Sequence, residues 1–82
     1  MTDPDPGRTD TLSLVTRAWS AALGVDGIAP EENFFDLGGD SMAATVISVR
    51  LGRDLGREVP VRAVFDHPTA AEFSAALSED AL

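Results

Sequence analysis

The apolar positions of the chain fall into three runs at helical spacing. In the first, Leu12, Val15, Trp19, Ala22 and Leu23 line one face, which predicts a helix from about Thr11 to Leu23. Thr9, Asp10 and Thr11 each offer a capping oxygen at its start, and Gly24 suits its end. In the second, Ala44, Ile47, Ser48, Leu51 and Leu55 share a face, so a helix is expected from Ser41 to Leu55 with Gly56 as its stop. Gly52 lies inside it at a cost of up to ~1 kcal/mol relative to alanine, and no neighbour in the sequence explains its presence. Val59-Pro60-Val61 is extended, because the residue before a proline is pushed out of the helical region. A short helical turn over Val61 to Phe65 is broken by Asp66-His67-Pro68. Thr69 and Glu72 form the pattern of a capping box, and the helix they open buries Ala70, Phe73, Ala76 and Leu77. No segment has the alternation of a strand. The predicted architecture is all-α: three main helices plus one short one in a bundle.

Between the first two helices lies a connection from Gly24 to Asp40. Gly27, Pro30, Gly38 and Gly39 exclude a regular element, while Val25, Ile28, Phe34, Phe35 and Leu37 give it apolar side chains to bury. A loop both long and pinned to the core is a candidate functional element. Residues 1–8 hold two prolines, a glycine and two of the aspartates, and are expected to form a disordered tail. The folded unit is expected over residues 9–78, with residues 79–82 fraying.

Composition narrows the function. The 82 residues suit one domain with a single modest core, and with no cysteine there is neither a disulfide nor a thiolate metal site to support it. Six basic residues, all arginine, face 14 acidic ones for a net charge of −8. That balance argues against nucleic acid and anionic membranes, and favours a soluble monomer meeting partners with positive docking faces. The acidic, proline-rich start lacks the basic and apolar segments of a signal peptide, and no run is long enough to span a membrane, so a cytoplasmic protein is expected.

The chemistry concentrates in Phe35-Asp36-Leu37-Gly38-Gly39-Asp40-Ser41. Two glycines end the pinned loop and a serine opens a helix, where unpaired N–H groups and the positive end of the dipole favour an anion on the serine hydroxyl. Asp40 opposes that anion modestly. Taken alone, Ser41 reads first as a plain helix cap. The spacing of a phosphate-binding loop is absent, as is any lysine. Met42, Val46 and Val49 recur at i, i+4 and i+7 on the side of the second helix away from its core face. Such a stripe is either a contact surface or the outer side of a helix buried all round. His67 stands alone before a proline and makes no catalytic set, while Asp36, Asp40 and Asp66 lack metal-site spacing.

Together these residues resemble the carrier, or thiolation, domains of nonribosomal peptide synthetases, which belong to the phosphopantetheine-binding carrier family. The resemblance runs from about Leu12 to Leu77. It centres on Asn33-Phe34-Phe35-Asp36-Leu37-Gly38-Gly39-Asp40-Ser41-Met42, with a second block at Val59-Pro60-Val61-Arg62-Ala63-Val64-Phe65-Asp66-His67-Pro68-Thr69 in the family's order and spacing. The resemblance implies a four-helix carrier bundle with a long first loop. It implies that Ser41, flanked by Gly38, Gly39 and Asp40, is esterified with 4′-phosphopantetheine taken from coenzyme A by a phosphopantetheinyl transferase. The arm's thiol, not a cysteine of this chain, would then hold an aminoacyl, aryl or peptidyl group. An adenylation enzyme and condensation or tailoring enzymes are the implied partners, met through Met42, Val46, Val49 and, on the short third helix, Val64. The paired glycines favour a peptidyl carrier over the acyl carriers of polyketide or fatty-acid lines. Val46 departs from the family's usual long or charged residue, a difference that bears on partner identity. No adenylation or condensation segment fits in 82 residues, so a free-standing or excised carrier, non-catalytic itself, is expected. The alternative from another class is an unmodified helical adaptor.

Overall fold

A computed structural model describes residues 6–79, with side chains described from Thr11 onward. Four helices follow one another: α1 (Pro6–Leu23), α2 (Ser41–Leu55), α3 (Arg62–Asp66) and α4 (Ala70–Ser78). The first helix packs along both α2 and α4, and α3 leans on α2. Among the described residues the only strand-like pairing is a single antiparallel bridge between Asn33 and Thr69.

The three long apolar faces close on one aromatic centre. Trp19 of α1 meets the edge of Phe34 from the loop at 5.4 Å between ring centroids, and Phe73 of α4 at 6.3 Å. Val15, Ile47, Leu51 and Val64 surround these rings, all fully buried. Each such side chain contributes about 1.5–3 kcal/mol through removal from water, a large fraction of what an 82-residue domain can hold. The Trp19 indole N–H is buried without a partner, so that ring is held by its shape and by its aromatic neighbours.

Helix ends follow local chemistry. Gly24 stops α1 with φ +69° and its N–H bonded to the Ser20 carbonyl at 2.8 Å. Gly56 stops α2 with φ +66°, its N–H bonded to the Gly52 carbonyl. The Thr69 hydroxyl accepts the Glu72 N–H at 3.1 Å and opens α4. At the other end of α4, Arg57 donates to the Leu77 carbonyl at 3.3 Å, tying the α2–α3 connection to that helix.

Several boundaries differ from the sequence expectation. The first helix starts at Pro6, not near Thr11, so Thr9, Asp10 and Thr11 lie within it and not at its start. Proline at the first helical position lacks only an N–H that would have no partner there anyway. Of the disordered tail expected over residues 1–8, residues 6–8 instead belong to α1, and of the fraying expected over 79–82, Glu79 instead caps α4; residues 1–5 and 80–82 lie outside the described residues. Phe35, expected to help pin the loop, is half exposed. Gly52 now has a reason: a Cβ there would stand 3.0 Å from the Arg57 carbonyl oxygen, where the chain turns back across α2.

The returning segment is fixed by Ser48, whose buried hydroxyl donates to the Val59 carbonyl. Ser48→Ala leaves that carbonyl without its donor inside the core. Urea denaturation is expected to show a loss of about 1–3 kcal/mol, with the m-value unchanged.

Candidate functional site

The loop from Gly24 to Asp40 buries Ile28 and Phe34 in the core, and Val25 and Leu37 pack against it half-buried. Its backbone is stitched to the α3–α4 connection and to the first turn of α4. The Phe34 N–H donates to the Pro68 carbonyl at 2.6 Å, and the Ala71 N–H to the Pro30 carbonyl at 2.8 Å. The Asn33 side-chain oxygen accepts from the Phe35 N–H at 2.8 Å, which turns the chain immediately after the bridge to Thr69. The Phe34 carbonyl then accepts N–H bonds from Leu37 at 3.2 Å and Gly39 at 3.0 Å, folding the Asp36–Gly39 stretch back over the Phe34 backbone.

The two glycines of that turn do different work. Gly38 sits at φ +89° with open space around it, so its requirement is conformational. Gly39 has no positive φ, but the Phe34 ring occupies the place where its Cβ would be. The ring that fills the core thus also demands a residue with no side chain two positions before Ser41.

Asp40, not Ser41, caps α2. Its backbone is extended, its carboxylate accepts the Ala43 N–H at 2.9 Å, and its carbonyl accepts the Ala44 N–H at 2.9 Å. The cap role open to Ser41 in the sequence is therefore filled by its neighbour. Ser41 is the first helical residue, it is exposed, and among the described residues no hydrogen bond engages its hydroxyl. The N–H groups of Ser41 and Met42, at the positive end of the α2 dipole, remain open toward an anion carried by that hydroxyl. A phosphodiester on Ser41 fits this arrangement: the oxygen reaches solvent and no structural bond is broken.

Met42, Val46 and Val49 are 75%, 44% and 57% exposed, so α2 is not buried all round and the stripe reaches water. Val64 does not join them. It is fully buried against the core, because the face of α3 that carries Ala63 and Val64 is the one turned toward α2. The apolar group that does come to the surface beside the loop is Phe35, stacked on Phe65 at 5.7 Å and 19°. The aromatic pair in the sequence is the signal for it, but which of the two rings turns inward depends on the Asn33 turn. His67 ends α3, its N–H bonded to the Ala63 carbonyl at 3.0 Å, and among the described residues no three metal-ligating side chains cluster.

Residues 13–77 match the family described as the phosphopantetheine attachment site. The chain belongs to that family. Members of this carrier family hold 4′-phosphopantetheine covalently, and the chain is a carrier protein of the nonribosomal peptide synthetase kind. It is 43% identical over 70 residues to a linear gramicidin synthase of Brevibacillus parabrevis, a match covering 85% of this chain. The carrier protein spans about 1% of the length of the curated relatives it matches. Among solved structures it is similar to BlmI, a type-II acyl-carrier-protein from Streptomyces verticillus involved in bleomycin biosynthesis. That likeness has a TM-score of 0.85 at 25% identity, covering 92% of this chain and 90% of that one. It is also similar to a non-ribosomal PCP domain, with a TM-score of 0.71 at 32% identity, covering 80% and 84%.

Asp40→Ala removes the α2 cap and is expected to lower stability by about 1 kcal/mol, whereas Ser41→Ala stays within about 0.5 kcal/mol of the native protein in the same thermal melt. Gly39→Ala forces the Phe34 ring off its seat, at an expected loss of about 1–3 kcal/mol. The emission of Trp19, the sole tryptophan and a direct neighbour of Phe34, is expected to shift in that variant.

Proposed function

We propose that Ser41 is the attachment residue of this carrier protein and that the chain shuttles a thioester-bound aminoacyl, aryl or peptidyl group between the enzymes of a nonribosomal peptide or hybrid line. One observation carries the assignment: the Ser41 hydroxyl stands exposed at the start of α2 while Asp40 performs the structural capping. A serine freed from the cap can lose its proton and become a phosphodiester oxygen without loosening the helix. In that step the Ser41 oxygen takes the phosphopantetheine phosphate of coenzyme A, with adenosine bisphosphate leaving. The bound arm supplies a terminal thiol, the group that carries cargo as a thioester in a chain lacking cysteine.

The chain's own contribution is presentation. The Gly38 and Gly39 turn brings the loop to Ser41 without a side chain in the way, and the Phe34 anchor fixes where α2 begins. Catalysis is left to the partners: a phosphopantetheinyl transferase, an adenylation enzyme, and condensation or tailoring enzymes. Met42, Val46 and Val49 form the apolar surface those enzymes meet next to the attachment point, with the exposed Phe35 ring as a further contact. No described helix is long and apolar enough to cross a membrane, and a monomeric cytoplasmic carrier suits this role.

Incubation with coenzyme A and a promiscuous phosphopantetheinyl transferase is expected to add one phosphopantetheine mass to the native protein, mapped by peptide analysis to Ser41. Ser41→Ala is expected to keep its fold by circular dichroism and to show no mass gain. An unchanged native mass, with a known carrier loaded in a parallel reaction, would instead favour an unmodified adaptor.

A further inference from the structure

The charge of the α2 surface runs against that of the chain. Net charge is −8, which taken alone points to partners with positive faces. Yet the exposed stripe of α2 continues Met42, Val46, Val49, Arg53, each three or four residues from the last, for about 16 Å from the Ser41 end. Arg50 stands beside Arg53, and the two arginines close a shallow groove with Thr45, Val46 and Val49. Arg50 also lines a second groove, between α1 and the start of the long loop, whose wall carries Arg17 and a single acid, Asp26. The two grooves therefore meet at one residue and form a continuous face. Three of the chain's six basic residues lie on it, all exposed. Among the described residues no carboxylate pairs with Arg17, Arg50 or Arg53. Among the described residues beyond residue 10, Asp26 and Asp54 are the acids on α1, α2 and the start of the loop, and the others lie on the later part of the loop, the α2–α3 connection, α3, α4 and its C-cap.

From this we infer that the α1–α2 face docks a partner protein whose surface carries an apolar patch rimmed by carboxylates. The valines would fill the apolar patch, and Arg17, Arg50 and Arg53 would meet the acidic rim. Unpaired guanidinium groups flanking exposed aliphatic side chains supply both parts of such a contact: apolar burial for affinity and charge for orientation and encounter rate. Arginine favours carboxylate through its planar fork of donors. In a chain whose net charge is acidic, a local basic face also orients the encounter, since most of the remaining charge repels an acidic partner. The inference rests on the proposed carrier function in one respect: the partner is taken to be an enzyme that serves the Ser41 arm.

The test uses an adenylating enzyme that charges the native phosphopantetheinylated protein with its amino or aryl acid. The native protein, Arg50→Gln/Arg53→Gln, Arg50→Glu/Arg53→Glu and the off-face control Arg62→Glu are each first brought to complete phosphopantetheinylation, verified by intact mass. Charging is then measured at low salt and at roughly physiological or higher salt, a range over which exposed charges become screened. The expected result at low salt is about a tenfold loss of kcat/KM for the double Glu variant, mostly through KM, with a smaller loss for the double Gln variant and none for Arg62→Glu. The native rate is expected to fall with salt, and the double Gln rate, with Arg17 left on the face, to show a weaker dependence. Equal rates and equal salt dependence across the four proteins would overturn the inference. So would a native dimer in sedimentation that the double Glu variant abolishes, because the face would then be covered by a second copy. Failure of the native protein to gain the arm at Ser41 contradicts the proposed function instead, and is read in the mass spectrum before any charging begins.

Discussion

The placement of the Phe34 ring constrains everything around Ser41, the proposed attachment serine. It is fully buried between Trp19 of α1 and the α3–α4 side of the bundle, with Phe65 at 6.1 Å, and its backbone N–H is held by Pro68. From that one seat it fixes the path of a loop too long to be ordered by its own turns. It also sets the spacing to α2, because its carbonyl gathers the N–H groups of Leu37 and Gly39 while its ring excludes any Cβ at Gly39. A close-packed core resists movement of such a ring, so the start of α2 inherits the rigidity of the interior.

On that fixed start, structural and chemical duties are divided between adjacent residues. Asp40 satisfies the helix terminus, and Ser41 is left with an exposed hydroxyl. A serine that capped its own helix would have to give up a structural hydrogen bond on modification. Here modification costs the fold nothing of that kind. The same helix presents its other faces to different ends: Ala44, Ile47, Ser48 and Leu51 to the core, Met42, Val46 and Val49 to water, and Arg50 and Arg53 beside them.

Much of this is legible in the sequence because helical periodicity and punctuation are local. The α2 bounds, the Thr69 cap, the Gly24 and Gly56 stops, and the buried faces of α2 and α4 follow from spacing alone. What is not legible depends on contacts between distant segments. The need for Gly52 arises from the Arg57 carbonyl passing over it, and the need for Gly39 from an aromatic ring five residues away. Val64, expected outward, lies inward because a five-residue helix carries too few positions for its faces to be told apart. The early start of α1 is hidden because Pro6 and Gly7 look like breakers, when a proline is well suited to a first turn. The basic face on α1 and α2 is masked by the acidic total, since net charge is a sum and docking is local.

The central claim is that the bundle is a finished platform on which Ser41 is modified without structural consequence. Amide spectra of isotope-labelled protein, recorded before and after phosphopantetheinylation with exchange protection measured in both states, test it most directly. The account predicts shifts confined to the end of the loop and the first turns of α2, with the Phe34 and Gly39 amides equally protected throughout. Shifts spread across α1 and α4, or protection at Phe34 gained only on modification, would contradict it.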